Sequence, residues 1–396
     1  MSALTYEQNL EHMAHKYNFM PYEPYTLSDV NASADRKLFT VISTFAGGGG
    51  SSIGYKLGGG DIRTVNEFVD EAVATYLENF KDTTVLHGDI KSFTPEDFLK
   101  SSGMEVGELD ILDGSPPCSA FSVCGKGSDG WGKEKKYSDG KTVTNIEDLF
   151  FEYVRIAEGL KPKIIIAENV PGLLLGKSKK KFNEIIMSLK SCGYIVTAKT
   201  LFAQHYGTPQ RRERLIFVCV RDDVAEVLDI DDFSLANEVF PIGWNNSTFV
   251  PLCNAIDDIV VTDEERSMLG VTGELLRWTS LIPKNQISIG SGADVHPKGS
   301  YFNLTRSSPF LPCPTLTQRG VQTSVAGTVH YDEDRKFSID ELKRIQGLPD
   351  DLVLTGKFNQ QAERIGRMVA PKMYKAISTQ LYNTIIKPYK ELSINE

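Results

Sequence analysis

The sequence predicts an α/β protein: a doubly wound sheet with a smaller, irregular second domain. Three observations carry this. From Leu38 to about Asp222, short β-branched runs alternate with longer amphipathic stretches. A glycine run, Gly47 to Gly50, joins the first such run to the first helical stretch. After about Asp222 the periodicity breaks into a segment rich in Pro, Gly, Ser and Asn, and returns only with "SIDELKRIQGLPDDL".

Taken in order, residues 1–36 are polar and weakly patterned, with one helix expected around Glu7 to Tyr17. "LFTVIST" has the continuous apolar character of a buried parallel strand, "FAGGGGSS" is a tight turn, and "IGYKLGG" opens a helix. "IRTVNEF" is the second strand, "VDEAVATYLENF" an amphipathic helix and "TTVLHGDI" the third strand. "LDILDGSPPC" makes the fourth. "IEDLFFEYVRIAEGL" is a helix and "KPKIIIAENV" the fifth strand. The helix "KKFNEIIMSLKSCG" and the strands "YIVTAKTLFA" and "RLIFVCVR" follow, and the chain ends on a helix, "APKMYKAISTQLYNTII". The expected division is an N-terminal extension (1–36), a main sheet domain (37–222), an irregular domain (223–313) and a return segment (314–396) that completes the sheet domain. In doubly wound sheets, sites form where strand carboxyl ends meet.

A chain of 396 residues with 41% hydrophobic content supports a substantial core. No N-terminal segment has a signal-peptide layout and no apolar run would span a bilayer, so the expectation is a soluble, cytoplasmic protein with no membrane partner. Six cysteines contain no CxxC pair, which argues against a zinc knuckle, so no metal is expected. The net charge of −9 speaks against a uniformly basic nucleic-acid surface. Lys126, Lys133, Lys135 and Lys136, and the group Lys177, Lys179, Lys180 and Lys181, could still form local basic faces.

The glycine turn fits neither the P-loop, because Ser51 and Ser52 follow Gly50, nor the spacing Gly-x-Gly-x-x-Gly, which would need Gly at Ser52. It still lets backbone amides approach a ligand at a helix N-terminus. Glu67 ends the second strand, where an acid can bind ribose hydroxyls, and Asp89 follows the third. Together they describe an adenosine site. Cys118 ends the fourth strand behind Pro116 and Pro117, whose fixed φ holds the thiol in place. Glu168 closes the apolar run "IIIA", where a carboxylate needs a partner. Gln210, Arg212 and Arg214 alternate, hence share one face of an extended segment.

The stretches "FAGGGGSSIGYKLGG", "NEF", "GDI", "GSPPCSAFS", "ENVPGLL", "YGTPQRRERLIFV", "ELKRIQGLPDD" and "IGRMVAPKM" occur in this order. The chain thereby resembles the DNA cytosine C5-methyltransferases from about Phe39 to Ile386, with only the irregular middle unmatched, and the resemblance implies that this middle, 223–313, is the target-recognition domain. The resemblance implies a Rossmann-like sheet binding S-adenosylmethionine. Phe45, Ala46, Gly47, Gly48, Gly49 and Gly50 would cradle the donor, Glu67 would take its ribose, Phe68 would stack on the adenine, and Asp89 and Ile90 would read the adenine edge. Pro117, Leu149, Arg367, Met368 and Val369 would line the same pocket. Cys118 would be the nucleophile, Glu168 would hold the cytosine, and Arg212 and Arg214 would support the base and the active-site loop. Ser119, Ser122, Gln210, Arg306 and Arg319 would contact double-stranded DNA. The implied protein acts as a monomer on DNA, with a cognate restriction endonuclease as a partner.

One position departs from the family pattern. The last motif ordinarily carries Gly-Asn, and here it is Gly366-Arg367. The plain expectation is that Arg367 turns to a phosphate or a local carboxylate. The sharper one is that Arg367 pairs with the extra carboxylate of carboxy-S-adenosylmethionine, giving 5-carboxymethylcytosine. An RNA-directed relative, a non-catalytic regulator and a cysteine hydrolase rank lower.

Overall fold

The computed structural model describes residues 5–117, 135–136, 142–143, 148–176, 178–300, 304–317 and 327–393. Two compact units alternate along the chain. One contains Met1–Leu27, Phe202–Arg212 and Gly243–Met373, the other Ser28–Leu201, Glu213–Ile242 and Tyr374–Glu396.

The second unit is the predicted sheet. Its strands are β1 (Phe39–Thr44), β2 (Gly60–Glu67), β3 (Thr84–His87), β4 (Ile111–Gly114), β5 (Ile164–Asn169), β6 (Tyr194–Phe202) and β7 (Glu213–Arg221). They lie in the order β3-β2-β1-β4-β5-β7-β6. The first five run parallel, and β4 and β5 are buried along their whole length, as their unbroken apolar runs require. Strand β7 is antiparallel to β5, with Ile216 opposite Glu168. The apolar pattern did not reveal that reversal, because burial on both faces looks the same in either direction.

Helices α1 (Gly50–Leu57), α2 (Asp70–Asn79), α3 (Pro95–Ser102), α4 (Leu149–Leu160) and α5 (Ser178–Ser191) accompany these strands. Phe98, Phe150, Tyr153, Ile185 and Phe217 share one core cluster with Leu112 and Ile165. Helix α3 was not anticipated. Its signal was Thr94 and Asp97 in a reciprocal capping box with Pro95 at the first turn. The C-terminal helix closes against α1: a Cβ at Gly58 would stand 2.2 Å from Ser378 Oγ, and Tyr374 meets Tyr55 edge-on at 5.5 Å.

The first unit corrects the expected boundaries. Its N-terminal segment is a structural part: Asn18–Phe19 pairs in parallel with Thr248–Phe249, and Tyr25 donates to the Gly347 carbonyl. The helices α6 (Ile339–Gln346) and α7 (Phe358–Arg367) also belong to it, so the chain returns to the sheet unit at Tyr374 rather than at residue 314. Arg344 shows why. It bonds Asp350 and Asp258 at 2.7 Å each and the Ala255 carbonyl, fastening α6 to the irregular region. That region is more helical than its composition implied, with short helices at Asp263–Leu269 and Gly273–Thr279 beside a three-stranded sheet.

Candidate active site

The ends of β1, β2 and β3 are tied together by backbone and side-chain hydrogen bonds. Beyond β1 the chain takes positive φ at Phe45 (54°), Gly47 (56°) and Gly49 (94°) before α1 begins. Glu67 accepts from Gly47 N at 2.7 Å and from Phe68 N and Val69 N at 2.8 Å each, so one carboxylate fixes both turns. A carboxylate has about four acceptor positions, which leaves one for a ligand hydroxyl. Asn66, unnoticed in the sequence, donates to the Leu86 and Gly88 carbonyls and holds β3 to β2. Asp89 caps the following turn through Lys91 N at 3.0 Å. A Cβ added at Gly47 would meet nothing within 4 Å, so open space lies over the turn, beside the amides of a helix N-terminus. These residues fit the adenosine part of S-adenosylmethionine. Ile90 and Leu149 are buried beneath this region and Phe68 packs against the same core.

At the end of β5, Glu168 is 9% exposed, and its Oε1 pairs with Nε of Arg214 on the neighbouring β7. The pair satisfies the demand that a carboxylate ending an apolar strand makes. The expected common face of Gln210, Arg212 and Arg214 divides. Gln210 and Arg212 lie in the first unit and are almost fully buried. Gln210 donates to Gln346 Oε1 and accepts from Leu316 N. Arg212 donates to the Leu316 and Gly366 carbonyls. Both brace backbone. Only Arg214 reaches Glu168.

Two DNA-contact expectations are corrected by burial. Arg306 is 1% exposed, and its guanidinium is spent on the Thr279, Ile282, His330 and Glu333 carbonyls and on Asp334. Gln210, at 0% exposure, has no surface to offer a base edge. Cys118, Ser119, Ser122 and Arg319 lie outside the described residues, as do Lys126, Lys133 and Lys177. The side chains of Lys135 and Lys136 are also undescribed. Pro117, the last residue before that segment, is half-buried. Among the described cysteines, Cys219, Cys253 and Cys313 are buried, and burial raises all three thiols, that of Cys253 to about 11. They are core filler.

Met368 and Val369 are buried in the first unit, where Met368 O accepts from Gln346 Nε2. Arg367 pairs with Glu363 one turn back on α7. Its charge is met by a local carboxylate, as the plain expectation had it.

A further acid escaped notice in the sequence. Asp113 is 1% exposed on β4, accepting from Ser43 Oγ at 2.7 Å and Tyr55 OH at 3.1 Å. Burial pushes its carboxyl up to about 6, against the hydrogen bonds of Ser43, Ser51 and Tyr55, and the charge of Glu168 adds to the rise. The signal was available: an acid between Leu112 and Gly114 in an otherwise apolar strand.

With this geometry in view, the chain matches the family model for C-5 cytosine-specific DNA methylase over residues 39–383. The chain belongs to that family. As a member of it, the protein is a DNA (cytosine-5-)-methyltransferase, and S-adenosylmethionine dependence follows from the family. Among its relatives, the type II methyltransferase M.NgoFVII of Neisseria gonorrhoeae is 26% identical and the match covers 93% of each chain. The type II methyltransferase M.BsuFI of Bacillus subtilis is 31% identical over 86% of this chain and 71% of its own. In fold, the methyltransferase is similar to a protein described as a DNA modification methyltransferase encoded within an Escherichia coli prophage, with a TM-score of 0.65, 21% identity, and coverage of 87% of this chain and 99% of that one. The Spodoptera frugiperda DNMT2 structure gives a TM-score of 0.59 at 17% identity, covering 87% and 99%. Among the described residues of the methyltransferase, no helix is long and apolar enough to cross a membrane and no group of three His, Cys, Asp or Glu could hold a metal ion.

Proposed function

We propose that the enzyme methylates C5 of a cytosine flipped out of double-stranded DNA, through a covalent bond between Cys118 Sγ and cytosine C6. The observation that supports this most is the register of two strands. β4 leads directly to Pro116, Pro117 and Cys118, and it pairs in parallel with β5 so that Gly114 stands opposite Ala167. Glu168 follows Ala167, so the acid stands level with the residues between β4 and Cys118.

Bound S-adenosylmethionine supplies an electrophilic methyl group, and the protein must make C5 nucleophilic enough to take it. The Cys118 thiolate adds to C6, forming the S–C6 bond and turning the ring into an enamine whose electron pair sits at C5. Glu168, held by Arg214, hydrogen-bonds the N3 and amino edge, where charge changes as the thiolate adds. After C5 has gained its methyl group, a base removes the C5 proton, the S–C6 bond breaks and the thiolate is restored. The target carbon is out of reach inside a duplex, hence the flip. The residues that hold the donor are those tied to Glu67: the turn from Phe45 to Gly50, with Phe68 and Asp89.

The irregular region of the first unit, Gly243 to Val329, is the sequence reader in this proposal, with readers other than Arg306 and Gln210. A cognate restriction endonuclease is the expected partner, in keeping with type II relatives. The pairing of Arg367 with Glu363 supports unmodified methyl as the transferred group.

The test compares wild-type protein with Cys118→Ser on plasmid DNA, by weighing the nucleosides after digestion. Wild type should yield 5-methylcytosine and the variant none. Full activity in the variant overturns the covalent route, and 5-carboxymethylcytosine from wild type supplied with both donors overturns the donor assignment.

A further inference from the structure

We propose that Asp113 is a positioning residue for this reaction, its buried carboxyl locking the donor-binding turn to the strand end that leads to Cys118. The inference rests on the function proposed above.

Asp113 stands where two functional segments begin. It is the penultimate residue of β4, whose next residues are Gly114, Ser115, Pro116 and Pro117. Its Oδ2 accepts from Ser43 on β1, two residues before Phe45, where the donor turn opens. Ser43 Oγ lies 3.4 Å from Ser51 Oγ in the first turn of α1. Asp113 Oδ1 accepts from Tyr55 OH further along the same helix, and Tyr55 packs edge-on against Tyr374. A single carboxyl therefore joins the strand entering the donor turn, the helix leaving it and the strand feeding the nucleophile.

Packing alone does not call for an acid here. The position lies between Leu112 and Gly114, and Gly114 is itself so confined that a Cβ would stand 2.6 Å from the Tyr153 ring and 2.7 Å from Thr44. An apolar side chain would satisfy a buried strand without a desolvation penalty. A carboxyl is tolerated because hydroxyls meet it, and such a network fixes geometry more tightly than apolar contact does. The surroundings give it a proton equilibrium of its own. Its titratable neighbours are Tyr55, Tyr76, Tyr153, Tyr374 and Glu168, and burial raises all four tyrosines far enough to keep them protonated. The Asp113 carboxyl, raised by burial to about 6, therefore changes protonation while the tyrosines around it do not.

The test is Asp113→Asn in the full-length enzyme. The amide keeps the shape but turns one acceptor into a donor, so it cannot receive both hydroxyls. Three readouts are taken: donor affinity by calorimetry with S-adenosylmethionine, the rate of covalent trapping by DNA containing 5-fluorocytosine, and Tm. We expect donor affinity and trapping rate each to fall roughly tenfold, the effect of one misplaced hydrogen bond, while Tm moves by a few degrees. The acid limb of wild-type kcat/KM near pH 6 should vanish in the variant. Ser51→Ala added to Asp113→Asn should cost little more than Asp113→Asn alone, since both act on one network. A variant with lower Tm but unchanged donor affinity, trapping and pH profile overturns the proposal. If Asp113→Asn does not fold, Ser43→Ala and Tyr55→Phe decide by the same readouts. A wild-type enzyme that makes no 5-methylcytosine sinks the underlying function instead, so the two failures are distinguishable.

Discussion

Glu168 shows what one buried carboxylate demands of its neighbours. Its partner Arg214 sits on an adjacent strand, and both side chains are mostly buried, at 11% and 14% exposure. Removing the cation strands the acid in a poorly solvated place. Arg214→Ala should therefore cost about 3 kcal/mol of stability. Arg214→Ala combined with Glu168→Gln should regain most of that, because no charge is left unpaired. Urea denaturation of both single variants and the double variant checks this, and equal losses in Arg214→Ala and the double variant would show that the pair is not coupled. Glu168 was legible because an acid stood at the end of "IIIA" with no local partner. Asp113 gave a weaker signal, since the strand around it is only four residues long and Asp110 stands just before it. Arg306 was misjudged for another reason. Residue type alone made it a plausible DNA contact, but its burial depends on carbonyls from Thr279, Ile282, His330 and Glu333, brought together only by the fold.

The glycine turn divides into two kinds of requirement that the run of four identical letters concealed. Gly49 has φ of 94°, and a Cβ there would stand 2.8 Å from the Phe80 ring and 3.3 Å from Tyr76. Gly47 also has positive φ, at 56°, but faces open space. Gly49→Ala should therefore cost about 1–3 kcal/mol of stability, through backbone strain and crowding against packed rings. Gly47→Ala should cost only about 1 kcal/mol of folding stability yet lower donor affinity markedly, since the new methyl enters the cradle. Thermal denaturation and donor titration of the two variants separate the effects. Wild-type donor affinity in Gly47→Ala would mean that the open space is not the donor's. Strands were the most legible elements, because a fully buried parallel strand leaves a continuous apolar run. Helix α3 was missed because two turns offer little periodicity, although its capping box was present. Strand β7 was placed but not oriented, for apolar content carries no direction.

The division of the chain into units was the least legible feature, because it depends on where distant segments settle. Residues 202–212 lie between two strands of the sheet and yet belong to the other unit, where Gln210 and Arg212 brace the backbone. The motif order named the family without revealing this exchange. Individual buried groups also respond to acid in opposite senses. In the first unit, burial holds the His330 imidazole down to about 2, helped by the charges of Arg335, Arg306, Arg266 and Lys284. The unfolded chain binds a proton there near pH 6.5 and the folded one does not. This contribution is present above pH 6.5 and is lost as pH falls below it. In the second unit, the Asp113 carboxyl at about 6 stands above its ordinary 3.8. The folded state takes up that proton first, so its contribution is fully present below 3.8 and is lost as pH rises through 6. Asp257, also raised by burial, acts in the same sense as Asp113. Between pH 6.5 and 5 the histidine costs about 2 kcal/mol and Asp113 returns about 1 kcal/mol. Wild-type stability should thus change by no more than about 1 kcal/mol over that interval, whereas Asp113→Asn should lose about 2 kcal/mol. His330→Gln should instead grow more stable on acidification. Urea denaturation at both pH values reads all three proteins, and an Asp113→Asn loss no larger than that of wild type would remove Asp113 from the balance.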